Sequence, residues 1–126
     1  RNQYKDGIQV SPDVSKYFTA GGTVTFNSIQ LAFYMGFTEI YLLGVDHRYS
    51  RVCLETGEMI ENPDVADYFD HTPAAAYTIQ NVATTTAAYR AADEYARAHN
   101  IVIRNLTRGG ALEVFVRGNF DEIVPP

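Results

Sequence analysis

One short apolar run constrains the fold of this chain more than any other feature, and it ends in two polar residues. Residues 38–45 read Thr-Glu-Ile-Tyr-Leu-Leu-Gly-Val, and Asp46 and His47 follow. The run is rich in strand-favouring residues and has no helical period, which predicts a strand buried on both faces of a sheet. Ligands of open α/β sheets bind outside the carboxyl ends of the strands. Asp46 and His47 are therefore candidate site residues, although a turn-capping role would explain Asp46 equally well.

A glycine turn and a predicted helix precede this strand. Gly21 and Gly22 allow a sharp turn, and a threonine then caps a helix in which large apolar residues recur at helical spacing: Phe26, Ile29, Phe33 and Phe37. We expect the helix to end near Met35, before Gly36, with its phenylalanines in the core. Free amides and the positive dipole end at its start would suit a phosphate, but most such turns are only turns.

The second half of the chain repeats the order of helix and then strand. An inward stripe predicts a helix from Val82 to His99, with a start at Pro73 as the alternative: Val82, Thr86, Tyr89, Ala92 and Ala96. Residues 101–103 begin a second buried strand, and residues 112–116 are expected to add a third. This order predicts an α/β fold with a parallel sheet. Residues 105–110 would then form a loop at the same edge of the sheet as Asp46.

A long segment, residues 46–72, joins the two halves without a clear period. Connections of this length are uncommon in compact domains and often form lids or binding loops. Its acidic residues could equally form a solvated face. Imidazole and carboxylate groups at 46, 47, 70 and 71 suit several divalent ions. No recognised ligand spacing supports such a site, so no metal is expected.

Composition limits the classes of protein to which the chain can belong. Its 126 residues, 46% of them hydrophobic, suit one domain, and no apolar run approaches the ~20 residues of a membrane helix. The net charge of −5 argues against a nucleic-acid surface. Cys53 is the only cysteine and no leader is visible, so we expect a cytoplasmic protein that is not integral to a membrane. Because the chain begins at Arg1, we expect a piece of a longer protein.

Several segments together resemble one known family. They are residues 22–25 (Gly-Thr-Val-Thr), 31–37 (Leu-Ala-Phe-Tyr-Met-Gly-Phe) and 39–47 (Glu-Ile-Tyr-Leu-Leu-Gly-Val-Asp-His), and residues 105–115 fit the closing segment. The family is the Rossmann-like group of 6-hydroxymethylpterin diphosphokinase, which includes the flagellin-modifying motility accessory factors. The resemblance covers roughly residues 21–115. It implies a three-layer Rossmann-like parallel sheet.

Among these relatives, the chain is similar to bacterial sialyltransferases that use CMP-sialic acid. By this resemblance Asp46 would contact the nucleotide, with His47 beside it. Gly22, Thr23 and Thr25 would lie on the turn that touches the nucleotide. The nucleotide sugar would be a substrate, with no tightly bound cofactor.

The same resemblance implies two catalytic residues. His71 closes the segment Asp-Tyr-Phe-Asp-His at residues 67–71 and would take the place of the general base, since an imidazole titrates in the range that an attacking hydroxyl requires. An ordinary loop histidine remains the alternative. Arg48 stands where those enzymes carry a tyrosine that supports the leaving phosphate, and its guanidinium could neutralise the phosphate charge.

The family's upstream turn of Gly-Asn-Gly-Pro-Ser type has no counterpart here, so we expect the C-terminal part of a larger domain. The expected function is transfer of a sugar from a CMP-type donor to a glycan hydroxyl in surface-polysaccharide synthesis. Its partners would be that donor and the glycan acceptor, and a homo-oligomer stays open. The alternatives are a Mg²⁺-dependent diphosphokinase acting on a pterin alcohol and a non-catalytic nucleotide-binding or assembly module.

Overall fold

The computed structural model describes residues 7–48, 51–54, 56–61 and 80–126. Its helices are α1 (Val24–Tyr34), α2 (Val82–Ala98) and α3 (Phe120–Ile123), and its strands are β1 (Glu39–Leu42), β2 (Arg51–Cys53), β3 (Met59–Glu61), β4 (Gln80–Asn81), β5 (Val102–Asn105) and β6 (Val116–Arg117). A three-stranded parallel sheet has the order β1-β5-β6. A second sheet has the order β3-β2-β4, with β3 antiparallel and β4 parallel to β2. The predicted α/β class with a parallel sheet is therefore confirmed.

Helix α1 begins and ends where its sequence predicts. Thr23 is the N-cap, and its hydroxyl accepts a hydrogen bond from the Thr25 amide at 3.3 Å. Met35 is the C-cap, and Gly36 follows with φ +85°, a left-handed conformation that favours glycine. The predicted helix, its cap and its end are confirmed.

A buried glutamine on α1 holds the preceding segment in place. The Gln30 side chain is 1% exposed, and its Oε1 accepts hydrogen bonds from the amides of Ser11 at 2.9 Å and Thr19 at 3.2 Å. Its Nε2 donates to the Thr19 carbonyl at 3.0 Å. One polar side chain therefore satisfies three backbone groups of residues 11–19, a segment that lies outside the strands of both sheets.

The two faces of the parallel sheet differ in burial. In the register of β1 and β5, Ile40 pairs with Ile103 and Leu42 with Asn105, and these positions point to the face that carries the core. Tyr41 and Val102, on the opposite face, are 41% and 42% exposed. The prediction of a strand buried on both faces is therefore wrong. Both long helices contribute side chains to the one core.

The core joins α1, α2, the sheet and the loop after β5. Its fully buried or nearly buried members include Phe26, Ile29, Phe33, Leu42, Ala88, Tyr89, Ala92, Ala96, Ile103, Leu112 and Phe115. Gly21 lies against a residue of each long helix: a Cβ there would come within 2.5 Å of Phe26 Cδ1 and 2.6 Å of Ala88 Cβ. Glycine is required at this position by close packing and not by its backbone angles.

Three sequence-based expectations differ from the structure. Phe37 is 52% exposed rather than buried, because the turn after α1 carries it out of the helical stripe. Only the last residue of the strand expected at 112–116 is in a strand, β6 at Val116–Arg117; Leu112 and Phe115 enter the core from a loop. Residues 46–72, predicted as one irregular segment, contain the β2–β3 hairpin.

Helix α2 starts at Val82, with Asn81 as its N-cap, so the later of the two predicted starts is confirmed. Asn100 follows the helix with φ +56°, which ends it as expected. Within the part of the chain that the structure describes, no helix combines the length and apolarity needed to cross a bilayer.

Candidate functional site

The carboxyl ends of β1 and β5 carry two loops that are bonded to each other. The Leu106 amide donates to the Leu42 carbonyl at 2.8 Å, and the Val45 amide donates to Thr107 Oγ1 at 3.0 Å. Further on, the Ala111 amide donates to the Asp46 carbonyl at 2.7 Å. The prediction that residues 105–110 lie on the same sheet edge as Asp46 is confirmed.

Asn105 fixes the shape of the second of these loops from within. Its side chain is completely buried. Nδ2 donates to the Leu112 carbonyl at 3.1 Å, and Oδ1 accepts from the Thr107 amide at 3.0 Å. A single amide thus joins the two ends of the loop and satisfies a backbone group at each end.

Arg117 supports the same loop from its other side. Its guanidinium donates to the carbonyls of Thr107 at 2.9 Å and Gly109 at 2.6 Å, and also reaches the Gly110 carbonyl at 3.4 Å. The guanidinium also forms an ion pair with Glu113, in which Nη2 lies 2.6 Å from Oε1. This hydrogen bond lowers the pKa of the exposed Glu113 carboxyl.

Gly110 lies directly against the backbone of Asp46, in the loop after β1. A Cβ at this position would come within 2.9 Å of the Asp46 carbonyl oxygen, and the φ of Gly110 is +73°. Both the contact and the angle exclude larger residues. Only a glycine at this position lets the loop pack against the backbone of Asp46.

A cleft of about 470 Å³ opens beside these loops. One wall is a face of α2, the other is the loop after β5, and the lining residues are His47, Val82, Thr86, Arg90, Asp93, Glu94, Ala111, Leu112, Glu113 and Val114. The α2 residues recur every three to four positions, as one helix face requires. The volume falls within the range of small-molecule sites.

His47 is the predicted site residue that lines this cleft. Its Nε2 lies 2.9 Å from Thr86 Oγ1, and its ring meets Tyr89 edge-on at a centroid distance of 5.5 Å. Partial burial lowers the pKa of His47 below its ordinary value of 6.5, so the ring is neutral near pH 7. Its φ of +48° is uncommon for a residue other than glycine, and such angles cluster at functional sites.

The glycine turn before α1 lies against the first turn of α2. A Cβ on Gly22 would lie 3.2 Å from Thr85 Oγ1, and Thr85 Oγ1 donates to the Asn81 carbonyl at 3.1 Å. The next residue, Thr86, contacts His47. Gly22, Thr23 and Thr25 therefore lie near the same end of α2 as the cleft, but they do not line it.

The charges of the cleft fall into two groups. Asp93 pairs with Arg97 at 2.8 Å, and Glu113 pairs with Arg117, so each of these carboxylates has a cation beside it. Arg90 and Glu94 also line the cleft, and among the residues that the structure describes neither forms an ion pair. In this part of the chain, one guanidinium and one carboxylate of the lining therefore have no ion-pair partner.

Among the residues that the structure describes, no other predicted site residue lines the cleft. Asp46 lies next to His47 and binds the 105–111 loop through its backbone, and its side chain is exposed. Arg48 is exposed and does not line the cleft. His71 lies outside the described residues, as do residues 67–70. In the described ranges, no group of three or more His, Cys, Asp or Glu side chains is placed to hold a metal ion.

Sequence reasoning did not find Arg90, Glu94 or Glu113. It identified the inward stripe of α2 and gave no role to the polar residues outside that stripe. The signal that could have identified them is the spacing of Val82, Thr86 and Arg90 along one helix stripe that begins apolar and becomes charged. What lies opposite that stripe is decided only by tertiary structure.

No family model, curated protein or solved structure matches the chain.

Proposed function

We propose that the protein is a glycosyltransferase that moves a sugar from a nucleotide-activated donor of the CMP-sialic-acid type to a glycan hydroxyl in surface-polysaccharide synthesis. Its fold would be a three-layer Rossmann-like domain. The observation that carries the proposal is the position of the cleft, lined by His47 from the loop after β1 and by the loop after β5, at the carboxyl ends of two parallel strands. This is where open α/β sheets bind their ligands.

The chemistry needs a base, a nucleotide site and support for a leaving phosphate. As the acceptor oxygen bonds to the anomeric carbon, its proton passes to the base, the carbon–oxygen bond to the phosphate breaks, and the nucleotide leaves with that electron pair. By resemblance, His71 is the base and Arg48 stabilises the phosphate. Asp46 and the turn at Gly22–Thr25 hold the nucleotide.

His47 gives the proposal a second point of support. Its hydrogen bond to Thr86 and its contact with Tyr89 orient the ring at the cleft wall. Because the ring is neutral near pH 7, it brings no positive charge to the cleft wall. An arginine, and not His47, would therefore bind the charged phosphate of the nucleotide.

Isothermal titration calorimetry tests the proposal. CMP and a CMP-sugar should bind, and His47→Asn should weaken that binding roughly tenfold through one lost contact. Asparagine tolerates a positive φ, so the backbone should keep its shape. His99→Asn is the matched control, because His99 lies at the far end of α2. Absence of CMP binding, or equal effects of both substitutions, would contradict the proposal.

Transfer assays test the base and separate the reaction classes. His71→Ala should abolish transfer and leave nucleotide affinity nearly unchanged. Phosphoryl transfer from ATP generally needs Mg²⁺. Activity that survives EDTA would favour glycosyl transfer, whereas pyrophosphate transfer to a pterin alcohol that EDTA abolishes would favour the diphosphokinase.

A further inference from the structure

The cleft has two chemically different ends, and their order along α2 is fixed. Helix residues four positions apart are about 6 Å apart along the axis, and each side chain leans over the preceding turn. Arg90 therefore lies about one turn beyond Thr86, and Glu94 lies about one turn beyond Arg90. The sequence of groups along the wall is hydroxyl and imidazole, then guanidinium, then carboxylate.

The guanidinium end suits an anion. Arg90 lines the cleft and forms no ion pair within the described part of the chain. A guanidinium presents a planar set of donors that matches the oxygens of a phosphate. The Thr86 hydroxyl and the neutral His47 ring, which lie beside it, add no negative charge.

The carboxylate end suits hydroxyl groups. Glu94 comes from α2 and Glu113 from the facing loop, and both line the cleft. Arg97 and Arg117 offset the charges of Asp93 and Glu113, so these acids do not repel an anion bound at Arg90 as strongly as bare carboxylates would. Carboxylates commonly accept hydrogen bonds from the hydroxyls of a sugar or a ribose.

We propose that this cleft binds a phosphorylated polyol, with Arg90 on the phosphate and Glu94 and Glu113 on the hydroxyl groups. The proposal rests on the proposed function only in taking a nucleotide sugar as the natural ligand. It differs from the sequence-based assignment of the phosphate to Arg48, which lies outside the cleft lining.

The test uses the full 126-residue chain, with inorganic phosphate, ribose 5-phosphate and ribose as probes. Amide chemical shifts in ¹⁵N-labelled protein report both the position and the affinity of binding. We expect ribose 5-phosphate to bind more tightly than ribose or phosphate alone. The shifted amides should belong to the cleft residues of α2 and of the loop at 111–114.

Three substitutions identify the groups involved. Arg90→Gln should weaken ribose 5-phosphate binding roughly tenfold or more, since charge-assisted hydrogen bonds to phosphate are lost. Arg104→Gln removes the same charge from an exposed position on β5 and should leave binding unchanged. Glu94→Gln should weaken ribose 5-phosphate binding more than phosphate binding.

The possible results separate this inference from the proposed function. Equal effects of Arg90→Gln and Arg104→Gln, shifts outside the cleft, or loss of binding in Arg48→Gln alone would overturn the inference. Failure of all three probes to bind would overturn it as well. If ribose 5-phosphate binds through Arg90 but no nucleotide sugar does, the inference holds and the proposed function fails.

Discussion

Replacing Asn105 by aspartate tests whether the Asn105 side chain holds the loop that forms one wall of the cleft. The substitution Asn105→Asp changes almost no volume, so packing and cavity terms are removed from the comparison. It keeps an acceptor for the Thr107 amide and replaces the donor to the Leu112 carbonyl by a second oxygen at 3.1 Å. Because Asn105 is fully buried, water cannot relieve the repulsion.

Protonation sets an upper limit on the cost. A protonated carboxyl can donate to Leu112 again, and holding it protonated costs about 1.36 kcal/mol for each pH unit above its ordinary pKa of about 3.9. The loss of stability is therefore at most about 4 kcal/mol at pH 7 and about 1.5 kcal/mol at pH 5. The folded-state pKa of this carboxyl is raised, so the penalty is absent at low pH and grows as pH rises.

Urea unfolding of wild type and variant at both pH values measures this difference directly. Subtracting the wild-type free energy at each pH removes the titration of all other groups. Asn81→Asp is the control, because Asn81 is exposed and caps α2 through an oxygen that aspartate also has. A loss below about 1 kcal/mol at pH 7, or one that does not shrink at pH 5, would refute the reasoning.

Three further predictions concern packing, titration and the segment before α1. Gly21→Ala should lower the free energy of unfolding by about 1–3 kcal/mol, since its Cβ would overlap Phe26 and Ala88, and urea unfolding with near-wild-type stability would contradict this. The His47 ring should titrate below its ordinary pKa of 6.5 in NMR; protonation then favours the unfolded chain, so stability should fall as pH drops from 6.5 through the folded-state pKa, and less so in His47→Asn. Gln30→Leu should remove three hydrogen bonds and speed amide exchange in residues 11–19, whereas unchanged exchange would show that the glutamine does not hold them.

The sequence predicts the elements whose signals are local. Thr23, the glycine at 36 and the apolar stripe of α1 fix that helix from its own residues. The inward stripe that begins at Val82 similarly indicates α2, and Asn100 follows the end of that helix. The parallel pairing of β1 and β5 follows from the repeated order of helix and strand, and it places Asp46 and the 105–110 loop at one edge.

Other features depend on contacts between distant residues. Phe37 continues a helical spacing that the chain has already left, so periodicity alone misplaces it. Apolar side chains at 112 and 115 resemble a strand pattern, but the bonds of Asn105 and Arg117 hold the loop there in an irregular form. Arg90 reads as a surface residue until the opposing loop turns its helix face into the wall of a cleft.

An NMR titration of the ¹⁵N-labelled chain with CMP and a CMP-sugar tests whether the cleft is a nucleotide site. We expect shifted amides at Val82, Thr86 and Arg90 and in the facing loop at 111–114. No shifts at saturating nucleotide, or shifts confined to the opposite face of the sheet around Tyr41 and Val102, would contradict this expectation.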